Sequence, residues 1–425
     1  MDFSKFTQMF KIKELRNKIL FVLAMLIVFR LMAAIPIPGI SAQDLGSFFE
    51  KFEAFGLLNM FTGGTLSKLS IVMLGIGPYI TATIILQLLT MIFPALEKIY
   101  KEEGAAGRQK INQWGRYATV PLALIQGYSM LTLLSREGNI TGLTTISMIT
   151  SLITITAGTL LLVWLGEMIT EKGIGNGVSL IIFAGIVSSL PSNILQFISQ
   201  FDPNQIPGYL LFFASAFLII IGVVTVTEAR RNIPVSYAKR VRGHRIFGGA
   251  STFLPLSVNP SGVIPIIFAL SILLFPSMIA GFFVNSPGVV GNIATAVAGF
   301  QNNVLAWGIT YFLLVFAFTF FYTMVTFDPK AIANNLKKMG GFIPGIRPGD
   351  STVNFLKFVL NRILFIGATF LGCVAVMPYV IKGITGVESF SFLVGVTSLL
   401  IVVAVILDTI KQVNSQLQMR EYDTI

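Results

Sequence analysis

Residues 59–87 read NMFTGGTLSKLSIVMLGIGPYITATIILQ, an apolar stretch interrupted first by Gly63-Gly64 and again by Gly75-Ile76-Gly77-Pro78. Proline lacks a backbone donor and crowds the turn before it, so a helix kinks or stops at Pro78. Lipid cannot hydrate the freed backbone groups. Broken backbone therefore persists at membrane depth only inside protein or beside a water-filled path. A half-inserted segment followed by a spanning helix points to a pore or a transport site.

The rest of the chain supplies the membrane context. Of its 425 residues 54% are hydrophobic and 12% charged, with a mean hydropathy of +0.80, against roughly 25% charged in a soluble domain. About 20 apolar residues cross the hydrocarbon core. Ten such runs are present: 19–36, 71–93, 117–134, 147–168, 176–198, 208–227, 262–283, 304–326, 359–380 and 391–410. Lys11, Lys13, Arg16 and Lys18 precede the first run, but no small-residue cleavage site follows it, so it reads as a retained span ended by Pro36 and Pro38. Cys373 is the single cysteine and His244 the single histidine. No intramolecular disulfide, His-cluster metal site or cofactor is expected.

With the N-terminus inside, 25 Lys and Arg fall on inner segments and 4 (Lys51, Lys68, Arg136 and Lys382) on outer ones. The positive-inside rule then places both termini in the cytoplasm. Two inner loops, EARRNIPVSYAKRVRGHR (228–245) and the segment from Asp328 to Lys357, are longer and more basic than ordinary connections. They read either as topogenic, headgroup-binding loops or as docking surfaces for a large acidic or RNA-containing partner. The turn Gly345-Ile346-Arg347-Pro348-Gly349, which presents an arginine, favours the second.

The run interiors hold almost no ionisable groups. Arg30 is the main exception, expected to pair with the carbonyls of a neighbouring chain or to reach for the outer interface. Coupled transporters usually keep buried carboxylates or histidines, and an intramembrane enzyme needs a base. Both classes are disfavoured, although a secondary transporter would share the broken helices. What remains beside the breaks is aliphatic. Ile76 and Ile80 flank Pro78, Val178 and Ile182 follow KGIGNG (172–177), and Ile267 follows Pro265. Such residues either pack against lipid and core or converge on a narrow hydrophobic constriction. Thr81, Thr83, Gln87 and Thr90 read either as interhelical hydrogen-bonding groups or as one wall of a seam that parts sideways.

The stretch 59–89 together with GRQKINQWGRY (107–117), WLGEMITEKGIGNGVSLIIFAGI (164–186), YAKR (237–240), LPLSVNPSGVIPIIFA (254–269), NNLKKMGGFIPGIRPG (334–349) and GVTSLLIVVAVILD (395–408) resembles the SecY family. These are channel subunits of the bacterial Sec protein translocase, and the resemblance covers the chain in order. It implies an all-α polytopic membrane protein of the bacterial cytoplasmic membrane. Ten transmembrane helices would form two pseudo-symmetric halves, 1–200 and 201–425, around an hourglass pore, with cytoplasmic loops 228–261 and 327–358.

Carried onto matching positions, the resemblance implies a pore ring of Ile76, Ile80, Val178, Ile182, Ile267 and Ile401, with Val178 in place of the usual isoleucine. It implies a short plug helix made of Asn59, Met60, Phe61, Thr62, Gly63, Gly64, Thr65, Leu66, Ser67 and Lys68. A lateral gate would use Thr81, Gln87 and Ser271, and docking of the SecA ATPase or the ribosome would use Lys239, Arg240, Arg242, Arg245 and Arg347. The implied partners are the SecE and SecG subunits, signal sequences, nascent polypeptides and membrane lipid. The tail after Asp408 is short, ending at Ile425. No enzymatic activity is expected.

Overall fold

Each of the ten apolar runs becomes a helix in the computed structural model. It describes residues 12–38, 40–42, 59, 62–136, 140–141, 144–199, 203, 206–237, 240–242, 245–247, 251–283, 287–300, 303–385 and 390–423. Met60, Phe61, Lys239 and His244 lie outside the described residues, as do the side chains of Arg240, Arg242 and Arg245. In chain order the elements are α1 (Lys13–Ala34), β1 (Ser41–Ala42), α2 (Gly77–Ile92), α3 (Pro94–Glu102), α4 (Gly104–Arg136), β2 (Ile140–Thr141) and α5 (Thr145–Lys172). There follow α6 (Gly177–Ser199), α7 (Ile206–Glu228), β3 (Arg230–Tyr237), β4 (Arg240–Arg242), β5 (Arg245–Phe247), β6 (Ser251–Ser257) and α8 (Ile264–Phe283). The chain continues with α9 (Val289–Gly299), α10 (Val304–Thr326), α11 (Pro329–Lys338), β7 (Gly341–Phe342), α12 (Asp350–Thr385) and α13 (Phe390–Asp423).

Among the described residues seven helices (α1, α4, α5, α7, α10, α12 and α13) are long and apolar enough to cross a membrane, and the bent pair α2–α3 makes an eighth candidate. Gly177–Ser192 of α6 and Ile264–Pro276 of α8 are shorter apolar helices. The bend between α2 and α3 is 110°. Its cause is local: Pro94 disfavours helical backbone at the residue before it, and Phe93 is extended (φ −100°, ψ 112°). Short polar side chains start some of the other helices. Thr144 and Ser147 form a reciprocal capping box at α5, and Asn303 accepts from Ala306 N at 3.1 Å to open α10.

One apolar core runs through the bundle and takes residues from both halves of the chain, from Phe29 and Leu162 to Trp307, Leu371 and Ile401. Around it α2 packs on α4 and α8, α4 on α5, α6 on α13, α7 on α13 and α10 on α12. At the end of α7, Lys411 Nζ lies 3.1 Å from Glu228 Oε1 and donates to the Thr227 carbonyl at 3.1 Å. A cation from α13 thus meets the negative end of the α7 dipole.

The helical architecture carries small antiparallel sheets that the sequence reading did not foresee. β3 pairs with β6 along its whole length, from Arg230↔Ser257 to Ser236↔Ser251, and with β7 at Ser236↔Phe342 and Tyr237↔Gly341. The two long basic loops therefore meet in one sheet, which shares an apolar core (Ile233, Val235, Leu256, Leu336, Ile343 and Leu356) with α11 and α12.

Candidate functional site

The broken stretch folds as successive tight turns over 62–76, and α2 starts only at Gly77. Pro78 therefore falls in the first turn of α2, where its missing N–H leaves no partner unsatisfied. This shortens the expected run 71–93. The expected plug helix is also corrected: among its described residues only Asn59 is helical, and 62–68 are turns and a bend. Left-handed backbone at Gly63 (φ 77°), Gly64 (φ 76°) and Gly75 (φ 57°) is incompatible with a continuous helix. Asn59 organises the turns instead. Its carbonyl accepts from Gly64 N at 2.7 Å and Thr62 Oγ1 at 3.0 Å, and its side-chain Oδ1 accepts from Ser67 N at 2.9 Å.

The C-terminal end of α1 and the turn after it hold this segment in place. Ile37 N donates to Leu69 O at 2.8 Å, Ile71 N to Ile35 O at 3.0 Å and Ser70 Oγ to Met32 O at 3.0 Å. Arg30 Nη1 donates to Gly63 O at 3.1 Å. The sequence reading expected Arg30 to find a neighbouring chain or the outer interface; its carbonyl partner belongs to this chain, 33 residues away. Underneath, Leu66, Leu69, Met73 and Leu74 are buried with Ile37, Met130, Leu131, Leu134 and Ile155 in a second apolar cluster, against α4 and α5. Ser67 and Lys68 stay exposed.

The six aliphatic residues assigned by resemblance to the ring all belong to the main core. Ile76, Ile80, Ile182 and Ile401 are buried there, while Val178 and Ile267 pack against it half-exposed. They come from the residue before α2 and from α2, α6, α8 and α13, four helices distant in sequence. The break at 172–177 positions the α6 pair. Gly177 N donates to Thr170 Oγ1 at 2.9 Å, and a Cβ on Gly177 would stand 1.8 Å from Gly166 O.

The threonines of α2 do not make the interhelical bonds that one of their two readings expects. The hydroxyls of Thr81, Thr83 and Thr90 donate to carbonyls of their own helix (Gly77, Tyr79 and Ile80, and Gln87) at 2.7–3.1 Å. Among the described residues the bonds of these threonines thus stay within α2, satisfying the hydroxyl locally. Gln87 Oε1 is buried and has no hydrogen-bond partner among the described residues. Ser271 is half-buried on α8, and α2 and α8 are in contact.

On the sheet side, Arg347 is exposed between Gly345 (φ 82°) and Gly349 (φ 108°), and its carbonyl accepts from Thr352 Oγ1 at 2.9 Å. Arg230, Arg231, Lys337 and Lys338 are exposed on the same subdomain. Arg240, Arg242 and Arg245 lie on the β4–β5 hairpin, registered Arg242↔Arg245. Among the described residues no cluster of three His, Cys, Asp or Glu side chains offers a metal site.

A polytopic helical membrane protein with broken backbone packed into its helix bundle is of a channel-like class. A family model for SecY matches residues 70–410. The protein translocase subunit SecY of Corynebacterium glutamicum is 41% identical, with 99% of each chain covered. That of Aquifex aeolicus is 40% identical, with 97% of each covered. Among solved structures, a protein-conducting channel superposes with a TM-score of 0.65 at 19% identity, over 93% of this chain and 91% of that one. Sec61 in the canine ribosome–channel complex gives 0.60 at 18%, over 93% and 91%. At such identities these last two speak for the fold. The chain belongs to the SecY family.

Proposed function

We infer that this chain is the protein-conducting channel of a Sec translocase. It passes unfolded secretory polypeptides across the bacterial cytoplasmic membrane and releases signal sequences and membrane segments sideways into lipid. The family match along nearly the whole chain carries this reading. Within it, the 59–68 segment is the plug, the six aliphatic residues at 76, 80, 178, 182, 267 and 401 form the ion-tight ring, and the α2–α8 contact is the lateral gate. What supports the plug is its seat: polar bonds to α1 above and a dedicated apolar cluster below. What supports the ring is that four separate helices deliver aliphatic side chains to one core.

The pore is passive. SecA or a ribosome supplies the driving force at the basic sheet subdomain that presents Arg347, SecE and SecG complete the complex, and both termini lie in the cytoplasm. The test is translocation in proteoliposomes of the chain with its SecE and SecG partners. With SecA and ATP added, a preprotein should become protease-protected. Solute-coupled flux with no protected preprotein would establish a secondary transporter instead.

A further inference from the structure

Arg30 is the one cation of α1 beyond Lys18, and it sits about a turn from the outer end of the helix. A charge at that depth is costly unless it is paired or hydrated. Among the described residues its guanidinium has two contacts: Nη1 to Gly63 O at 3.1 Å, and Cζ 5.9 Å from the centre of the buried Phe29 ring. Gly63 is also packed too tightly for a side chain. A Cβ there would stand 2.7 Å from Gly185 Cα of α6 and 3.0 Å from Arg30 Nη1. The segment thus presents bare backbone at Gly63, its carbonyl on a cation and its Cα closely packed against a glycine of α6. Among the described residues the other bonds from α1 and the turn after it reach Leu69, Ser70 and Ile71, at the base of the segment, and all are neutral. Arg30 makes the charge-assisted one, and hydrogen bonds to charged groups are roughly twice as strong as neutral pairs.

We propose that Arg30 is the latch of the plug: a positioning residue that sets the closed population by holding the Gly63 carbonyl. The proposal rests on the reading of 59–68 as a plug. The segment cannot leave its seat without parting Arg30 from its acceptor, so the cation biases the equilibrium towards the closed state by its differential contact. Removing it should shift that equilibrium by on the order of ten- to a hundredfold, the size of one hydrogen bond to a charged group.

The test uses the reconstituted complex in a Cys373→Ser background, with Thr65→Cys as reporter, because Thr65 is buried inside the plug. In Arg30→Met, labelling of that cysteine by an impermeant maleimide from the outer side should accelerate by on the order of ten- to a hundredfold. Resting conductance should rise with it, and Arg30→Lys should restore part of both. Arg30→Gln, which keeps an uncharged donor, is read the same way if the methionine variant does not assemble. In a channel lacking 59–68, adding Arg30→Met should change nothing further. Unchanged labelling overturns the latch, as does a conductance increase that persists undiminished without the plug. Faster labelling in a protein whose 59–68 deletion does not leak upholds the latch and overturns the plug as a seal.

Discussion

Gln87 carries a buried amide oxygen with no donor among the described residues. Such an acceptor costs about 1–3 kcal/mol in a packed seam. If α2 and α8 separate to admit a signal sequence, that oxygen meets water or a donor, so its burden falls on the closed state alone. Gln87→Leu should therefore tighten the gate. Photo-crosslinking of a signal sequence to α2 should form several-fold more slowly, with global stability equal or higher; faster crosslinking would show that Gln87 holds the seam shut. Thr65 presents the same situation in the plug, where its hydroxyl is buried and unpartnered among the described residues. Thr65→Val should seat the plug more firmly, read as fewer spontaneous openings in planar bilayers. More openings would mean that the hydroxyl has a partner that matters. The sequence could offer these polar positions but not their partners. A threonine in a helix always has an i−4 carbonyl within reach, and Thr81, Thr83 and Thr90 take that option or the i−3 one.

The breaks themselves were legible, because glycine and proline act on the backbone where they stand. Gly63-Gly64 and Gly75 do interrupt the run, and Pro78 stands in the first turn of the helix that follows. What holds the resulting turns was not legible, since it depends on contacts between distant segments. Gly158 of α5 is the clearest case: a Cβ there would stand 2.2 Å from the Ile71 carbonyl. The amide of the same residue is tied to Ile35, so the backbone has little freedom to yield. Gly158→Ala should cost about 1–3 kcal/mol, as overpacking does, lowering the melting temperature of the complex and raising its resting conductance. If both stay at the parental values, the turns are not braced by α5. The strands were missed for a different reason. In 228–245 charge dominated the reading, while the period-2 signal rests on Ile233 and Val235 alone, and Pro234 argues against a central strand. β3 admits it because β7 pairs only at Ser236 and Tyr237, leaving β3 a one-sided strand at Pro234. The Arg347 turn, by contrast, is as its sequence suggested, glycines in left-handed backbone on either side of an exposed cation. Arg347→Glu should abolish most SecA-driven translocation with assembly and melting temperature intact. Normal translocation by this variant would remove the turn from the docking surface.

For the molecule as a whole, the helices at the ten apolar runs and the two long basic loops follow from hydropathy and charge, which are read locally. The ring is a statement about convergence, and composition has no access to that. It came by resemblance, and the six residues now share a core with many others that have no proposed role in the pore. Truncation separates the two. A side chain that only fills a core leaves a cavity when cut back, and Ile→Ala then costs about 2–5 kcal/mol with no conducting path opened. A side chain that closes a constriction by keeping it dry loses less packing, but its loss admits water and ions. Ile84, fully buried one turn beyond Ile80, serves as the core reference, and Val178 and Ile267 are proposed ring members already partly exposed. Ile84→Ala should lower the melting temperature by several degrees and leave the resting channel ion-tight. The double variant Val178→Ala/Ile267→Ala should shift melting much less, yet raise resting conductance, and raise it further when 59–68 is also removed. Were the double variant as destabilised as Ile84→Ala and still tight, these two positions would be ordinary core and the constriction would have to be sought elsewhere.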